Sequence, residues 1–343
     1  MTDLLPAPVL AAPGLFRITQ TLTFGSFRFS ANQYAVPGEN GFLFDAGFGR
    51  KKMTRSLAKR LTGLAARGRR QGQCLDIKRV LVSHSHWDHF SGLKALQEQS
   101  GLTVLATPAQ SRVMASRRVF CRTFWARSPL LDRQGSRFSR TLSGIRLQLS
   151  RALFIRLAGV DFTKGTLQIL NPGERLFPKG PDPDAAWQVI PVPGHCDDDI
   201  ALYNEKRGVL LGGDLVLPGV TTWLGPPRSD LVSYLQSLER VRDLPGLKTV
   251  FPAHGRPVTD PVPLINKRLE HRHQRTGQLL EMIRSAGGSG LDFDSLVKAV
   301  YPNLPRFKKS LFSGWIAVTL AHLADTGRIR HFSRAGRVFF SVV

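Results

Sequence analysis

The chain has 343 residues, 42% of them hydrophobic, and a formal net charge of +23 at pH 7. This length predicts a globular protein of two domains, and the absence of any apolar run of ~18 to 20 residues excludes a transmembrane helix. Three scattered cysteines exclude a disulfide framework and predict a reducing, cytoplasmic location. Prolines interrupt the apolar N-terminal stretch, so we expect no signal peptide.

The positive charge is concentrated in three blocks. Residues 50–79, 112–164 and 262–343 carry net charges of +10, +10 and +8, which leaves −5 for the rest of the chain. Basic blocks around an acidic centre fit a polyanionic substrate, because they attract phosphate groups and release their counterions. A solvated basic face explains the same charges, so charge alone names no partner.

Alternating apolar and polar residues up to residue 50 predict short antiparallel strands, including a hairpin whose second strand ends at Asp45. The elements predicted next are a basic amphipathic helix (51–66), a strand (79–82), a helix (92–99) and a strand (103–107). This alternation of strands and helices indicates one layered half of an α/β domain.

Seven residues after the predicted strand 79–82, Ser83-His84-Ser85-His86-Trp87-Asp88-His89, contain four potential metal ligands. Imidazole nitrogen and carboxylate oxygen are ligands that zinc and related transition metals prefer. Since His84 and His86 are two residues apart, their side chains point to the same side of an extended chain. Asp88 and His89 follow where the chain must turn, so we expect them to face a second metal beside the first.

Residues 108–165 interrupt the pattern. This segment is rich in arginine and leucine and contains aromatic pairs such as Phe124-Trp125, which predicts an inserted cap of amphipathic helices. Such a cap could contact the substrate or lie on an anionic membrane surface. Helices packed across the domain with their arginines outward explain the pattern equally well. Burial of Phe124 and Trp125 beside the metals would indicate a lid.

Strands return after residue 165, and three of their ends present further ligand types. The predicted strands are 167–170, 187–192, 200–203, 209–211 and 248–251, with a helix over 229–242. His195, Asp214 and His254 each follow one of these strands at a turn rich in glycine or proline. A hydrophobic strand that ends at a His or Asp thus recurs along the chain.

Beyond Asp260 the pattern changes again. The predicted elements are a long polar helix (263–284), two amphipathic helices (291–300 and 311–325) and a terminal hairpin (328–340). Helices followed by a hairpin with a basic turn indicate a winged-helix-like layout. Such modules bind nucleic acid or serve only for packing and dimerisation.

The candidate ligands together resemble the five motifs of the metallo-β-lactamase fold superfamily, in order and spacing, along residues 15–260. The motifs are Asp45, His84-x-His86-x-Asp88-His89, His195, Asp214 and His254. A closer similarity, to the branch that contains β-lactamase-like protein 2 and bacterial relatives with a C-terminal winged helix, rests on three further segments. They are Pro193-Gly194-His195-Cys196-Asp197-Asp198-Asp199-Ile200-Ala201-Leu202, Gly219-Val220-Thr221-Thr222 and His271-Arg272-x-x-Arg275.

The resemblance implies an α/β (α+β) fold with two domains. Residues 1–262 would form a hydrolase domain, a four-layer αβ/βα sandwich in which 108–165 is a basic helical insertion. Residues 263–343 would form a winged-helix-like domain.

The resemblance also implies a role for each ligand. His84, His86 and His195 would bind one zinc ion, Asp88, His89 and His254 the second, and Asp214 would bridge them, with iron or manganese as alternative metals. Asp45 would orient the ligands from behind, and Asp88 and Asp214 are the predicted catalytic carboxylates. Two adjacent divalent ions lower the pKa of a shared water, which generates a bridging hydroxide at neutral pH.

The predicted function is therefore a dinuclear zinc hydrolase that acts on phosphodiesters in single-stranded RNA. The same ligands serve a glyoxalase II-like thioester hydrolase, of hydroxyacylglutathione or acyl-CoA type, and a lactonase. Persulfide oxidation by a mononuclear iron site is a further alternative. A nucleic-acid-binding protein with an idle metal domain is the alternative without enzymatic activity. The expected partners are an ester or thioester, or RNA held by the basic surface, and the oligomeric state stays open.

Overall fold

The computed structural model describes residues 8–24, 27–124, 151–163, 167–180, 186–305, 308–309 and 312–343. Among these residues, no helix combines the length and apolar composition that crossing a membrane requires. Trp125 and the rest of 125–150 lie outside the described residues, as do the predictions that concern them.

Seven strands form the first sheet, and each pairs with its neighbours in chain order. They are Val9–Ala12 (β1), Leu15–Phe24 (β2), Phe27–Val36 (β3), Phe42–Phe44 (β4), Arg79–Leu81 (β5), Thr103–Ala106 (β6) and Leu167–Ile169 (β7). The pairs from β1 to β4 are antiparallel, and those from β4 to β7 are parallel. Because β4 and β5 are parallel neighbours, the turns that follow them lie side by side at one edge.

Six strands form the second sheet, in the order β13-β12-β11-β10-β9-β8. They are Arg175–Leu176 (β8), Trp187–Pro191 (β9), Ile200–Asn204 (β10), Val209–Gly213 (β11), Thr249–Pro252 (β12) and Val258–Thr259 (β13). The pair β11 and β12 is parallel, whereas the other pairs are antiparallel. The turns after β11 and β12 therefore also leave the sheet at a common edge.

Helices cover both sheets, and further elements follow at the C-terminal end. The helices are Lys51–Arg70 (α1), Trp87–Phe90 (α2), Leu93–Ser100 (α3), Pro108–Met114 (α4), Arg117–Phe124 (α5), helical residues 151–158 (α6), Leu231–Arg242 (α7), Pro261–Ser285 (α8), Phe293–Val300 (α9) and Gly314–Asp325 (α10). A three-stranded sheet, β14-β16-β15, consists of Leu291–Asp292 (β14), Ile329–Arg334 (β15) and Arg337–Val342 (β16).

Successive residues of the central strands enter different hydrophobic cores. Phe42 and Phe44 of β4 pack between the sheets with Trp187 of β9, while Leu43 faces the other way and packs with Leu57 of α1. On the far side of the second sheet, Leu210 and Ala201 pack with Tyr234 and Leu238 of α7. The layers are thus helices, sheet, sheet and helices. The predicted four-layer sandwich is confirmed.

Helix α8 belongs to two cores. Ile265 and Leu269 in its first half pack against the second sheet, whereas Leu279 and Ile283 pack with α9, α10, β15 and β16. The predicted boundary at residue 262 thus falls in the first turn of this helix. The winged-helix assignment of the C-terminal elements stays a prediction.

The predicted insertion begins inside the sandwich. Val113 and Met114 of α4 and Phe120 of α5 are buried in the same core as α1 and α3. The sequence therefore predicted helices correctly over 108–124, but this part of the segment packs as part of the helical layer.

We expect the core between the sheets to dominate stability. The Phe42 ring is fully buried and meets Trp187 edge-on at 6.1 Å between centroids. Phe42→Ala should lower the free energy of unfolding by about 3–5 kcal/mol, measured by urea denaturation. Phe177→Ala removes a ring that is 52% exposed and serves as the control, with an expected loss of about 0.5 kcal/mol. Equal losses would contradict the prediction.

Candidate metal centre

The predicted ligands lie beyond the ends of strands at the edge where the two sheets meet, in loops and, for Asp88 and His89, in the short helix α2. Asp45 follows β4, the cluster of residues 83–89 follows β5, and the remaining ligands follow β9, β11 and β12. Backbone hydrogen bonds join the sheets at this edge, from Ile200 N to Ser83 O (2.8 Å) and from Asn32 N to Ala253 O (2.7 Å). Five separate strand ends are thereby held against one another.

The chain at the histidine cluster is bent rather than extended. Strand β5 ends at Leu81, residues 83–86 form bends, and α2 begins at Trp87. The prediction that His84 and His86 lie on an extended strand is therefore wrong, because the backbone is bent at residues 83–86. Their imidazole rings still lie together, with 4.5 Å between the ring centroids. Bends that the strand pattern could not predict produce the proximity that was expected.

Three imidazole nitrogens converge in the first group. His195 Nε2 lies 3.2 Å from His84 Nε2 and 3.0 Å from His86 Nδ1. His84 is completely buried, so water cannot supply the missing hydrogen bonds. A single proton can serve only one pair of nitrogens, whereas a metal ion accepts lone pairs from all three. The donor set therefore fits a transition metal.

A second group joins Asp88, His89 and His254. His254 Nε2 lies 3.4 Å from Asp88 Oδ2, and His89 Nε2 lies 3.8 Å from Asp88 Oδ1. Ligand atoms of these three residues lie within 4.8 Å of one another, which suits a common cation. This is the second set of ligands that the sequence predicted.

Asp214 lies between the two groups. Its Oδ2 is 3.5 Å from His195 Nε2 and 3.8 Å from His89 Nε2, while its Oδ1 is 3.3 Å from His254 Nε2. Among the described residues, His89 Nε2 is buried without a hydrogen-bond partner, and the contact of the buried Asp214 Oδ1 with His254 Nε2 lacks hydrogen-bond geometry. Unpaired buried polar atoms are costly, and a divalent cation would satisfy both. The residues present therefore fit two metal ions that share Asp214.

Hydrogen bonds from outside the cluster hold the imidazoles. Nδ1 of His89 donates to Asp45 Oδ2 (3.0 Å), that of His195 to Trp223 O (2.6 Å) and that of His254 to Ser30 O (2.5 Å). A proton on Nδ1 leaves Nε2 with a free lone pair, which is the form that binds metal. These partners therefore keep the proton on Nδ1, so that Nε2 is the nitrogen available to a metal.

Asp45 is the most connected of these outer residues. Its Oδ1 accepts hydrogen bonds from the backbone N (2.7 Å) and Oγ (3.0 Å) of Ser83. Its backbone has a positive φ of 69°, which aspartate tolerates better than most residues. The carboxylate thus joins the turn after β4 to the turn after β5 and to His89.

Electrostatics differ between the two groups. Burial lowers the pKa of His84, His86 and His195, so these imidazoles are neutral. Burial also disfavours a charge on His89, but the carboxylates around it, Asp45 first among them, raise its pKa to about 9. Burial alone would raise the pKa of Asp88, yet the neighbouring histidines lower it to about 2. The second group therefore favours positive charge, as a cation site must.

A further acidic cluster, Cys196, Asp197 and Asp198, is neutralised by a side chain. Arg228 forms ion pairs with both carboxylates, at 2.7 Å to Asp198 Oδ2, and donates to Ser85 Oγ (2.6 Å). Burial raises the pKa of the Cys196 thiol well above its ordinary value, which agrees with a packing role. The guanidinium occupies the position that a cation would need.

Sequence reasoning missed several of the supporting groups. Asp199 Oδ1 lies 3.3 Å from His84 Nδ1, and the buried Gln110 amide donates to Val82 O, Ser83 O and Asp198 O. Asp199 belongs to a segment that supported the family resemblance, but no role was predicted for it. The carbonyls of Ser30 and Trp223 carry no sequence signal, because every residue has one.

The family follows from comparison with known proteins. A sequence profile of the metallo-beta-lactamase superfamily matches residues 27–254. The chain belongs to this superfamily. This membership confirms the predicted family and the predicted enzyme class, a metal-dependent hydrolase of that superfamily.

Two relatives of this chain with curated names each share 28% sequence identity with it over the matched residues. "Probable metallo-hydrolase YqjP" of Bacillus subtilis is 28% identical over 262 residues, which cover 73% of this chain and 75% of that protein. The "Beta-lactamase-like protein 2 homolog" of Drosophila melanogaster is 28% identical over 153 residues, 45% of this chain and 50% of that one.

Solved structures show the same fold over almost the whole chain. A metallo-beta-lactamase family protein from Thermus thermophilus has a TM-score of 0.69 at 21% identity, with 97% of this chain and 99% of that chain covered. A beta-lactamase domain protein from Burkholderia ambifaria has a TM-score of 0.74 at 19% identity, with 98% and 93% covered.

Replacing the Asp45 carboxylate should weaken metal binding without breaking the turn. In Asp45→Asn, the amide can accept from Ser83, but its NH₂ group would face His89 Nδ1 and force the proton onto Nε2. We expect zinc affinity, measured by competition with a chelator, to fall about 10- to 100-fold. Asp243→Asn, at an exposed carboxylate paired with Arg242, is the control. Unchanged affinity in Asp45→Asn would show that the carboxylate does not set the tautomer.

Proposed function

We propose that the chain is a dinuclear zinc hydrolase that cleaves phosphodiester bonds in single-stranded RNA. His84, His86 and His195 would hold the first metal, Asp88, His89 and His254 the second, and Asp214 would contribute to both. When bound, the two ions lower the pKa of water enough to supply a hydroxide nucleophile at neutral pH and stabilise developing negative charge.

The residues of the chain have separate tasks in this reaction. Asp88, whose pKa lies at about 2, stays ionised and accepts a hydrogen bond from the attacking water. Asp214 keeps the two groups of ligands at a fixed separation. Asp45 and the Trp223 and Ser30 carbonyls hold His89, His195 and His254 in position, so little reorganisation is needed during turnover.

The observation that carries the RNA proposal is a set of aromatic rings beside the ligands. The centroid of Trp223, a side chain that is 39% exposed, lies 6.2 Å from that of the His86 ring. Phe29, which is 41% exposed, lies 5.9 Å from Trp87 within the ligand cluster. Proteins that bind single-stranded nucleic acid combine such stacking surfaces with positive charge.

Exposed arginines are near these rings and their partners in the sequence. Arg28 and Arg256 are exposed, and each is two residues from a partner in the hydrogen bond between Ser30 and His254. A negatively charged strand that crosses this edge would meet both cations and aromatic faces, which supports RNA over a neutral ester.

A thioester hydrolase of the glyoxalase II type is the second candidate. Phe124 and Trp223 also offer an apolar wall on which the acyl chain of a thioester could pack. The predicted ligands serve both reactions, so the choice depends on the substrate contacts.

We expect the purified protein to hold about two zinc ions per chain, as measured by elemental analysis. His86→Ala should abolish hydrolysis by removing a ligand, whereas His273→Ala should retain it because that imidazole is exposed on α8. If His86→Ala keeps full turnover, the proposed dinuclear mechanism is wrong.

The substrate is decided by assaying one zinc-loaded preparation on single-stranded RNA, S-lactoylglutathione and a homoserine lactone. We expect turnover of RNA, with an affinity that falls steeply as salt rises because phosphate contacts release counterions. Turnover of the thioester without RNA cleavage would support the second candidate. If the RNA affinity does not change with salt concentration, the basic residues do not contact phosphate.

A further inference from the structure

A cavity lies beside Trp223, which forms part of its wall. It has a volume of about 450 Å³ and is bounded by the 219–224 segment, by α8 and by residues before and within α10. The side chains that matter here are Trp223, His271, Arg272, Arg275, Tyr301 and Trp315. This volume is within the range of ligand pockets in proteins.

Buried positive charge without a carboxylate lines this cavity. Arg272 is only 5% exposed, and its Nη2 donates to the Thr222 carbonyl, while its Nε finds no hydrogen-bond partner among the residues that the structure describes. His271 Nδ1 is likewise buried and unpaired. Within the described part of the chain, the arginine–carboxylate ion pairs include neither Arg272 nor Arg275. A buried guanidinium without a counterion is costly, so the cavity favours an anionic ligand.

Aromatic rings form the rest of the wall. The Arg275 guanidinium lies over the Trp315 ring, 4.6 Å from its centroid, and Trp315 Nε1 donates to the Tyr301 hydroxyl (2.8 Å). Trp223 is 39% exposed. Stacked arginine on tryptophan gives a rigid cation beside flat apolar surfaces, which suits a phosphate attached to an aromatic or apolar group.

The cavity and the metal centre share one residue. The Trp223 ring lines the cavity and also lies 6.2 Å from the rings of His86 and His195, while its carbonyl accepts the hydrogen bond from His195 Nδ1. A group bound in the cavity can therefore contact the same indole that faces two of the candidate ligands.

We propose that this cavity binds a phosphate group of the substrate that neighbours the bond to be cleaved. Arg275 and Arg272 provide the charge, and Trp223, Tyr301 and Trp315 contact the adjoining flat group. The phosphate could be that of an adjacent nucleotide or that of a coenzyme A-type thioester, because both carry a phosphate near a flat aromatic base. The link to catalysis rests on the proposed hydrolase function, whereas phosphate binding in the cavity does not.

Binding of adenosine 5′-monophosphate and of adenosine, measured by calorimetry, tests the cavity directly. We expect the monophosphate to bind more tightly, and Arg275→Gln to weaken it about tenfold with no change for adenosine. Arg275→Lys keeps the charge and should restore part of the affinity. Arg284→Gln, at an exposed arginine paired with Glu281 on the same helix, is the control. Thermal melting of each variant shows whether it is folded.

Monophosphate affinity that is the same in folded Arg275→Gln as in Arg284→Gln would overturn the proposal. Steady-state kinetics then separate the two sources of phosphate. Arg275→Gln should raise KM about tenfold, with kcat maintained, for RNA in one case or for an acyl-CoA in the other. If Arg275 controls monophosphate binding but RNA is not cleaved, the RNA function fails and the cavity assignment stands.

Discussion

The hydrogen bonds of the buried Asp45 carboxylate hold the candidate metal centre together. They connect the turn after β4 with the turn after β5 through Ser83, and the same carboxylate fixes the proton of His89. Parallel pairing of β4 and β5 brings the two turns to one edge, but strand pairing alone does not orient an imidazole. Strand pairing brings the two turns together, and the Asp45 side chain then fixes the orientation of the His89 imidazole.

The second sheet completes the site by the same principle. Its parallel pair, β11 and β12, delivers Asp214 and His254 to the edge that already carries the histidine cluster. Contacts such as Tyr34 Oη to Pro252 O (2.7 Å) fix one sheet against the other. Because the ligands come from both sheets, the metal centre depends on the packing between them. Ions bound there would in turn stabilise that packing, since binding to the folded state adds to its stability.

Most of the fold could be predicted from the sequence, because the candidate ligands follow directly after the ends of hydrophobic strands. The hydrophobic run before His84 or His254 predicts both a strand and the place at its end where a candidate metal ligand lies. Bends such as those of residues 83–86, and carbonyl partners such as Trp223 O, leave no trace in residue type, because they depend on tertiary packing. The segment after 108 left two interpretations open, a cap or helices packed across the domain with their arginines outward. The burial of Val113 and Phe120 in the core supports the second for residues 108–124, and residue types alone could not decide it because it depends on tertiary packing.

Helix α8 is 25 residues long, which corresponds to about 37 Å. Its first half faces the second sheet and its second half faces the C-terminal core, with Arg272 and Arg275 in between. Because an α-helix turns by about 100° per residue, deleting one residue between Leu269 and Leu279 would rotate the second half away from its partners. Insertions or deletions in this helix are therefore tolerable only when they add or remove close to a whole number of helical turns. The relative orientation of its two halves is thus constrained more strictly than the identity of its exposed residues.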